Sequence, residues 1–258
     1  MAHIHDTALV SPQAELDGNV EVGPYCVIGP KVKISQGTRV RSHVVIEGNT
    51  TLGEENMIFP FATVGSIPQD LKYKGEDSRL IIGDRNTIRE FASLNPGTAG
   101  GGMVTLVGDD NLFMMYCHIA HDCIIGNHNI IANGATLGGH VRIEDYVIAG
   151  GLVGIHQFVR VGASAILGAG SMVSKDVPPF CNATGDRARL RGLNLEGLKR
   201  RGFSREQIER LRKAYRILFR MGLKIKDALE RVRREIPDSP EIEQVAAFIE
   251  KSQRGICR

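Results

Sequence analysis

Three histidines draw attention because they recur at similar points of a repeating pattern. His121, His140 and His156 each lie one to three positions after an aliphatic residue, and those aliphatic residues are 18 positions apart. A histidine beside an acid, as in His121-Asp122, can act as a general base whose tautomer the carboxylate fixes. The chain has no nucleophile elbow, P-loop or complete dinucleotide fingerprint. A base without a protein nucleophile favours direct transfer of a group onto a substrate hydroxyl.

Direct transfer from an acyl thioester also needs a donor for the oxyanion, and a backbone N–H is sufficient. Gly138 and Gly139, immediately before His140, are candidates for that donor. Zinc is a competing interpretation of clustered imidazoles, and a chance surface cluster is another. The three histidines lie near one corner but one, two or three positions after the aliphatic residue, which spreads their rings over several backbone positions. Since no outward cysteine accompanies them either, we expect no metal and no cofactor.

The element that must position these side chains is a six-residue repeat. In residues 4–64, 82–94 and 107–173, 24 of 26 positions at this spacing are Ile, Leu or Val, the exceptions being Phe113 and Ala149. The residue two before each is mostly small or β-branched, and glycine often follows. Three such hexads make an 18-residue coil. The sequence predicts a mainly β fold, a left-handed parallel β-helix of hexapeptide repeats with a C-terminal α-helical domain.

Residues that share the small inward position are predicted to be structural. The five cysteines form no CxxC pair, which argues against a disulfide framework or a zinc site. The inward cysteines are expected to fill the core, and these are Cys26, Cys117 and Cys123. The inward asparagines are expected to form hydrogen-bonded ladders, and these are Asn56, Asn111 and Asn129.

Two interruptions of the repeat predict loops that leave the β-helix. Residues 66–81 lack the pattern, and residues 95–106 are rich in glycine. Long loops in a compact repeat are often functional, although a tolerated insertion is the alternative. We therefore predict a β-helix over residues 1–186 that carries both loops.

Residues 187–258 are predicted to form a basic helical domain. Ser204 and Gln207 make a capping box, and helices are expected to end near Gly222 and Pro237. Residues 187–235 hold 17 Lys and Arg against six Asp and Glu, a net charge of +11, whereas the rest of the chain is acidic. This asymmetry predicts an anionic partner for the helical domain.

Composition excludes several classes of protein. Hydrophobic residues make up 42% and charged residues 24% of the chain, so it is not disordered. No apolar run is long enough for an integral membrane segment, and the N-terminus does not resemble a signal peptide. The basic residues lack interleaved aromatic residues and match no nucleic-acid-binding motif. We expect a cytoplasmic protein that binds no nucleic acid.

Several motifs together resemble the bacterial UDP-N-acetylglucosamine O-acyltransferases that start lipid A biosynthesis. The resemblance covers essentially the whole chain, and its stretches are QDLKYKGE (69–76), HIAHDCIIGN (118–127), GGHVRIEDY (138–146), HQF (156–158) and NLEGLKRRGFS (194–204). Hexapeptide periodicity alone is shared by many acyltransferases. The first and last of these stretches are far more specific.

This resemblance implies an activity and its partners. Members transfer a 3-hydroxyacyl chain from acyl carrier protein to the glucosamine 3-hydroxyl of UDP-N-acetylglucosamine. They are homotrimers with active sites between neighbouring subunits. Alternatives left open by the sequence are a related hexapeptide acyltransferase that acts on a 3-amino sugar nucleotide, or one that uses acyl-coenzyme A.

Roles of individual residues are also implied by position in these motifs. The resemblance makes His121 the general base, Asp122 its support and the Gly139 amide part of the oxyanion hole. Substrate-binding residues would be Gln69, Asp70, Lys72, His118, His140, His156, Gln157, Asn194, Glu196, Arg200 and Arg201. Residues matched to the control of acyl length are Ala169, Ile166 and Arg187. Asn95-Pro96 replaces the His-Arg pair that is usual in the family.

Overall fold

The computed structural model describes residues 1–258, and most of them wind into a β-helix of three parallel sheets. Paired residues of neighbouring strands are 18 positions apart, as for His3, Glu21 and Arg39. The separation grows only where a loop intervenes, as between Met57 and Thr87. The predicted left-handed parallel β-helix with a helical C-terminus is thereby confirmed.

Each sheet collects every third strand of the chain. Sheet 1 contains His3–Ile4, Glu21–Val22, Arg39–Val40, Met57–Ile58, Thr87–Ile88, Leu112–Phe113, Ile130–Ile131, Ile148–Ala149, Ile166–Leu167, Cys181–Thr184 and Arg189–Leu193. Sheet 2 contains Leu9–Val10, Val27–Ile28, Val45–Ile46, Thr63–Val64, Ser93–Leu94, His118–Ile119, Thr136–Leu137, Gly154–Ile155 and Met172–Val173. Sheet 3 contains Glu15–Leu16, Lys33–Ile34, Asn49–Leu52, Arg79–Ile82, Val104–Val107, Ile124–Ile125, Arg142–Ile143 and Arg160–Val161.

The aliphatic residues of the repeat fill the interior from the second coil onward, where they are buried. Ile4 is an exception at 45% exposed, because the first coil has a neighbour on one side only. Cys117 and Cys123 lie in this core, and burial raises the pKa of each thiol to about 12. They are therefore protonated packing residues and not nucleophiles.

The predicted asparagine ladder is present and has one more member. Asn56 Oδ1 accepts from the Asn86 backbone N–H at 2.9 Å, and Asn86 Oδ1 accepts from the Asn111 backbone N–H at 3.0 Å. Asn111 accepts in turn from the Asn129 N–H at 2.8 Å. The inward asparagine side chains therefore link successive coils, and their amide groups also donate to glycine carbonyls of the neighbouring turns.

Both loops rejoin the β-helix earlier than the sequence indicated. Regular strands resume at Arg79 and Val104, because Leu80 and Thr105 already occupy inward positions. The β-structure also extends to Leu193, past residue 186, since the final strand turns back and pairs antiparallel with Cys181–Thr184. The division into domains 1–186 and 187–258 stays a prediction.

Four helices follow the last strand: α1 (Leu195–Arg200), α2 (Arg205–Phe219), α3 (Ile225–Glu235) and α4 (Pro240–Glu250). The capping box of Ser204 and Gln207 forms at the start of α2 as predicted, whereas α1 was not anticipated. Apolar faces of these helices share a second core that includes Phe180 of the β-helix. None of the helices is both long and apolar enough to cross a bilayer.

Candidate active site

An open cleft of about 980 Å³ runs along sheet 2 beside the first loop. One wall is formed by Gln69, Asp70 and Lys72 of that loop. The other residues of the lining come from successive coils and from the turn after the last regular coil, and include His118, His121, Gly139, His140, His156, Gln157, Phe158, Met172 and Arg187. The fold therefore brings most of the sequence-predicted site residues into one cavity.

His121 and Asp122 form a hydrogen-bonded pair at the corner of a coil. His121 Nδ1 lies 2.8 Å from Asp122 Oδ2, and the side chains are 14% and 0% exposed. Because the ionised carboxylate can only accept, this bond assigns the proton to Nδ1 and leaves a lone pair on Nε2. The nearest acid to Nε2 is Asp70, whose Oδ2 is 4.0 Å away. The geometry suits a general base that faces the cleft.

Gly139 passes directly beneath the His121 ring. A Cβ atom at this position would lie 2.6 Å from His121 Nε2, so any larger residue would displace the His121 ring. The Gly139 carbonyl accepts from Phe158 N–H, whereas its own N–H donates to no group of the chain. A free backbone donor next to the base is the arrangement that an oxyanion requires.

Two further histidines are held as neutral groups around this pair. Burial is the main cause that lowers the pKa of His140, whose ring stacks on Phe158 with centroids 4.3 Å apart. Burial also lowers the pKa of His118, whose Nδ1 is 2.7 Å from Ser93 Oγ. Neutral imidazoles can donate and accept hydrogen bonds without repelling a protonated His121.

Four predicted binding residues are not brought to this cleft within one chain. Asn194 caps α1, and its amide donates to Ser164 O at 2.9 Å, while Glu196 pairs with Lys199. Arg201 stacks over the Tyr146 ring at 3.8 Å. These residues and Arg200 lie near a different corner of the β-helix, because α1 follows the strand that ends sheet 1.

The residues matched to acyl length separate in the structure. Arg187 lines the cleft, whereas Ala169 is exposed on a corner outside it and Ile166 lies on the outer face of sheet 1. Met172 lines the cleft instead, and it could not be singled out from the sequence because it occupies an ordinary outward position of the repeat. Thr98 was not predicted from the sequence either, although its N–H and its hydroxyl donate hydrogen bonds to the Asp122 carboxylate.

Potential metal ligands occur only in the same cluster. His121, Asp122 and His140 bring one ligand-type atom each within 4.8 Å of the others. Both oxygens of Asp122 already accept hydrogen bonds from Thr98 or His121, so the carboxylate has the surroundings of a hydrogen-bonded dyad. That no metal is used stays a prediction.

A hexapeptide β-helix that carries a histidine–aspartate pair and a free amide in a cleft defines the class of hexapeptide-repeat acyltransferases. The bacterial transferase hexapeptide profile matches residues 105–139, and the profile of UDP N-acetylglucosamine O-acyltransferase domain 2 matches residues 176–257. The chain belongs to the family of acyl-[acyl-carrier-protein]–UDP-N-acetylglucosamine O-acyltransferases.

Similar proteins support this assignment over full lengths. The chain is 55% identical to the acyl-[acyl-carrier-protein]–UDP-N-acetylglucosamine O-acyltransferase of Thermodesulfovibrio yellowstonii and 56% identical to that of Myxococcus xanthus, with 100% of each chain covered in both cases. A UDP-N-acetylglucosamine acyltransferase structure from Bacteroides fragilis has a TM-score of 0.97 at 43% identity, covering 99% of this chain and 100% of that one. The enzyme from Campylobacter jejuni has a TM-score of 0.93 at 40% identity, covering 98% of both.

Proposed function

We propose that this acyltransferase moves a 3-hydroxyacyl chain from acyl carrier protein to the glucosamine 3-hydroxyl of UDP-N-acetylglucosamine, the first step of lipid A biosynthesis, with His121 as the general base. The observation that carries the mechanism is the His121–Asp122 pair, whose free Nε2 faces the cleft beside the Gly139 N–H. No thiol or serine is needed, because the sugar hydroxyl is itself the nucleophile.

The reaction follows from this arrangement in two steps. His121 Nε2 accepts the proton of the sugar hydroxyl while the oxygen attacks the thioester carbonyl, and Asp122 stabilises the imidazolium. The Gly139 N–H donates to the oxyanion of the tetrahedral intermediate. When the intermediate collapses, the C–S bond breaks and the thiolate of the carrier protein takes the proton from His121, so the base is regenerated.

The carrier protein is proposed to dock on the basic helices. Eleven of the 17 Lys and Arg in residues 187–235 make no ion pair within the chain, among them Lys224 and Lys226 at the start of α3. An acidic protein surface complements this excess of positive charge. The diphosphate of the sugar nucleotide would also be attracted to these unpaired cations.

A homotrimer is proposed as the working assembly. On the outer face of sheet 1, four aliphatic residues follow one another in register and are only half-buried in the single chain, namely Leu112, Ile130, Ile148 and Ile166. An exposed column of stacked rings adds apolar surface at the next corner and consists of Tyr25, His43, Phe61, Phe91 and Tyr116. Patches of this extent favour burial between subunits. Light scattering of the purified protein measures the subunit number.

Contact between subunits would also explain why Asn194, Glu196, Arg200 and Arg201 stand apart from the cleft of their own chain. We expect them to reach the cleft of a neighbouring subunit. A cytoplasmic location is part of the proposal, and all five cysteines are buried free thiols, as expected for a reducing compartment.

The mechanism is tested with His121→Ala in an assay that contains UDP-N-acetylglucosamine and 3-hydroxyacyl carrier proteins. We expect turnover to fall by roughly 10²–10⁴-fold, the usual contribution of a general base, with the oligomer unchanged. Mass spectrometry of the wild-type product distinguishes this acceptor from a 3-amino sugar, and coenzyme A thioesters serve as competing donors. A variant with near-wild-type turnover would exclude His121 as the base.

A further inference from the structure

The Asp122 carboxylate is enclosed by donors from the second loop. Thr98 N–H donates to Asp122 Oδ1 at 2.9 Å, and Thr98 Oγ1–H donates to Oδ2 at 2.6 Å. The same Oδ2 accepts from His121 Nδ1, so one oxygen joins the threonine to the histidine. On the other side, Asp122 N–H donates to Thr105 Oγ1 at 2.8 Å. The three bonds to its oxygens therefore hold the carboxylate in a single orientation, and the backbone bond fixes the chain at Asp122.

The conformation of the second loop serves this contact. Thr98 O accepts from the N–H groups of Gly101 and Met103, which folds the loop back over the corner of the coil. A Cβ atom at Gly101 would lie 2.2 Å from Asp122 Oδ1, so only glycine lets the backbone close over the carboxylate. Thr98 itself is buried. The loop thus excludes solvent from Asp122 and replaces it with fixed donors.

We propose that Thr98 is a positioning residue of the catalytic machinery and that Thr98, Asp122 and His121 act as a hydrogen-bonded triad. This inference rests on the proposed role of His121 as the base. A buried carboxylate that lacked these donors would be free to rotate or to take up a proton. With Thr98 in place, the Asp122 carboxylate keeps one orientation and accepts from Nδ1–H of His121, which directs Nε2 to the substrate hydroxyl.

Other titratable groups around the triad set the background for any pH effect. Asp70 faces His121 Nε2 from the first loop, and His140 Nε2 lies 3.9 Å from Asp122 Oδ2 on the next coil. His118 faces His121 from the preceding strand, and the neutral Cys123 thiol adjoins Asp122. None of these groups is altered by a substitution at Thr98, so a change in the pH profile reports on the triad.

The test compares Thr98→Val with Thr98→Ser. Valine keeps the shape of the side chain and the backbone N–H but removes the hydroxyl. Because Asp122 Oδ2 then accepts from His121 alone, it binds Nδ1–H more strongly, and the His121–Asp122 pair holds a proton to higher pH. We expect kcat to fall roughly tenfold and the acidic limb of the kcat/KM profile to move up by about one pH unit, with little change in the KM for the sugar nucleotide. Serine restores the hydroxyl and should restore both values.

A matched control is Thr38→Val, which removes a buried hydroxyl that donates to Gly53 O at 2.9 Å, far from the cleft. It should lower stability without moving the acidic limb. If Thr98→Val keeps the wild-type profile, or if Thr98→Ser fails to restore it, the triad is excluded. That result differs from a failure of the proposed mechanism, in which His121→Ala itself would remain active.

Discussion

Along the cleft, one column of outward side chains changes in size from coil to coil. His118, Thr136, Gly154 and Met172 occupy equivalent positions on successive strands of sheet 2. Gly154 leaves a gap in the column, and the Met172 side chain leans over it, since a Cβ at 154 would lie 2.8 Å from Met172 Sδ. A hydrocarbon that entered beside His121 would therefore meet Met172 at the far side of the gap.

This geometry predicts that Met172→Ala lengthens the preferred acyl chain. Removing the thioether frees room for about two methylene groups, each worth roughly 0.8 kcal/mol when buried, so preference should shift more than tenfold toward the next even-numbered chain. Competition between ten-, twelve- and fourteen-carbon donors measures the ranking. Ala169→Met is the matched control and should keep the wild-type ranking, because Ala169 lies outside the cleft. The reverse pattern would return the role to Ala169, as the sequence suggested.

Single residues were predictable where the chemistry is local in the sequence. His121 and Asp122 are adjacent, so their pairing required only that the corner turn them outward. The bond from Thr98 to Asp122 spans 24 positions and depends on the path of a glycine-rich loop. No repeat constrains that path, and the identity of Asn95 and Pro96 gave no signal of it. The hydrogen bond between Thr98 and Asp122 could therefore be found only in the structure.

At the scale of elements, the strands followed from the six-residue period because each coil must bury the same positions. The C-terminal tail, the residues that follow α4, has no such period, and its packing against the β-helix could not be predicted. Asp176 holds it through a carboxylate that accepts from Arg160 N–H at 2.8 Å and from Ser252 Oγ–H at 2.7 Å. Its backbone bonds to Gly255 O and Cys257 N–H complete the attachment. The tail thereby closes the end of the β-helix.

We predict that Asp176→Ala destabilises the protein and releases this tail. Two partly buried donors, Arg160 N–H and Ser252 Oγ–H, lose their acceptor, at a cost of about 1 kcal/mol each, which should lower Tm by several degrees. Limited proteolysis should then cut within residues 250–258 before the β-helix is attacked. The control is Asp17→Ala, which replaces an exposed acid directly after the strand Glu15–Leu16. It should leave Tm and the proteolysis pattern unchanged. Equal protease resistance in the two variants would contradict the anchoring role of Asp176.

Over the whole molecule, charge is divided between the two kinds of structure. The β-helix carries the acidic excess, and residues 187–235 carry the basic excess, with eleven of their 17 Lys and Arg unpaired. Some of the basic residues are neutralised locally, as Arg233 is by Glu243 and Glu250. The sequence alone shows which part of the chain is basic and which is acidic. Only the structure shows which of the basic residues form ion pairs. Lys224 and Lys226 remain exposed and unpaired.

This separation leads to a prediction about the carrier protein. Because exposed charges are screened beyond about 10 Å at 0.1 M salt, the KM for the acyl carrier protein should rise steeply with ionic strength. Replacing Lys224 and Lys226 by Glu should raise that KM roughly tenfold at low salt and flatten its salt dependence, while kcat at saturation is unchanged. Lys33→Glu on sheet 3 of the β-helix, where Lys33 pairs with Glu15, is the matched control and should alter neither quantity. Steady-state kinetics from low to high salt provide the measurement. If the double variant retains the wild-type salt dependence, the carrier protein docks on another surface.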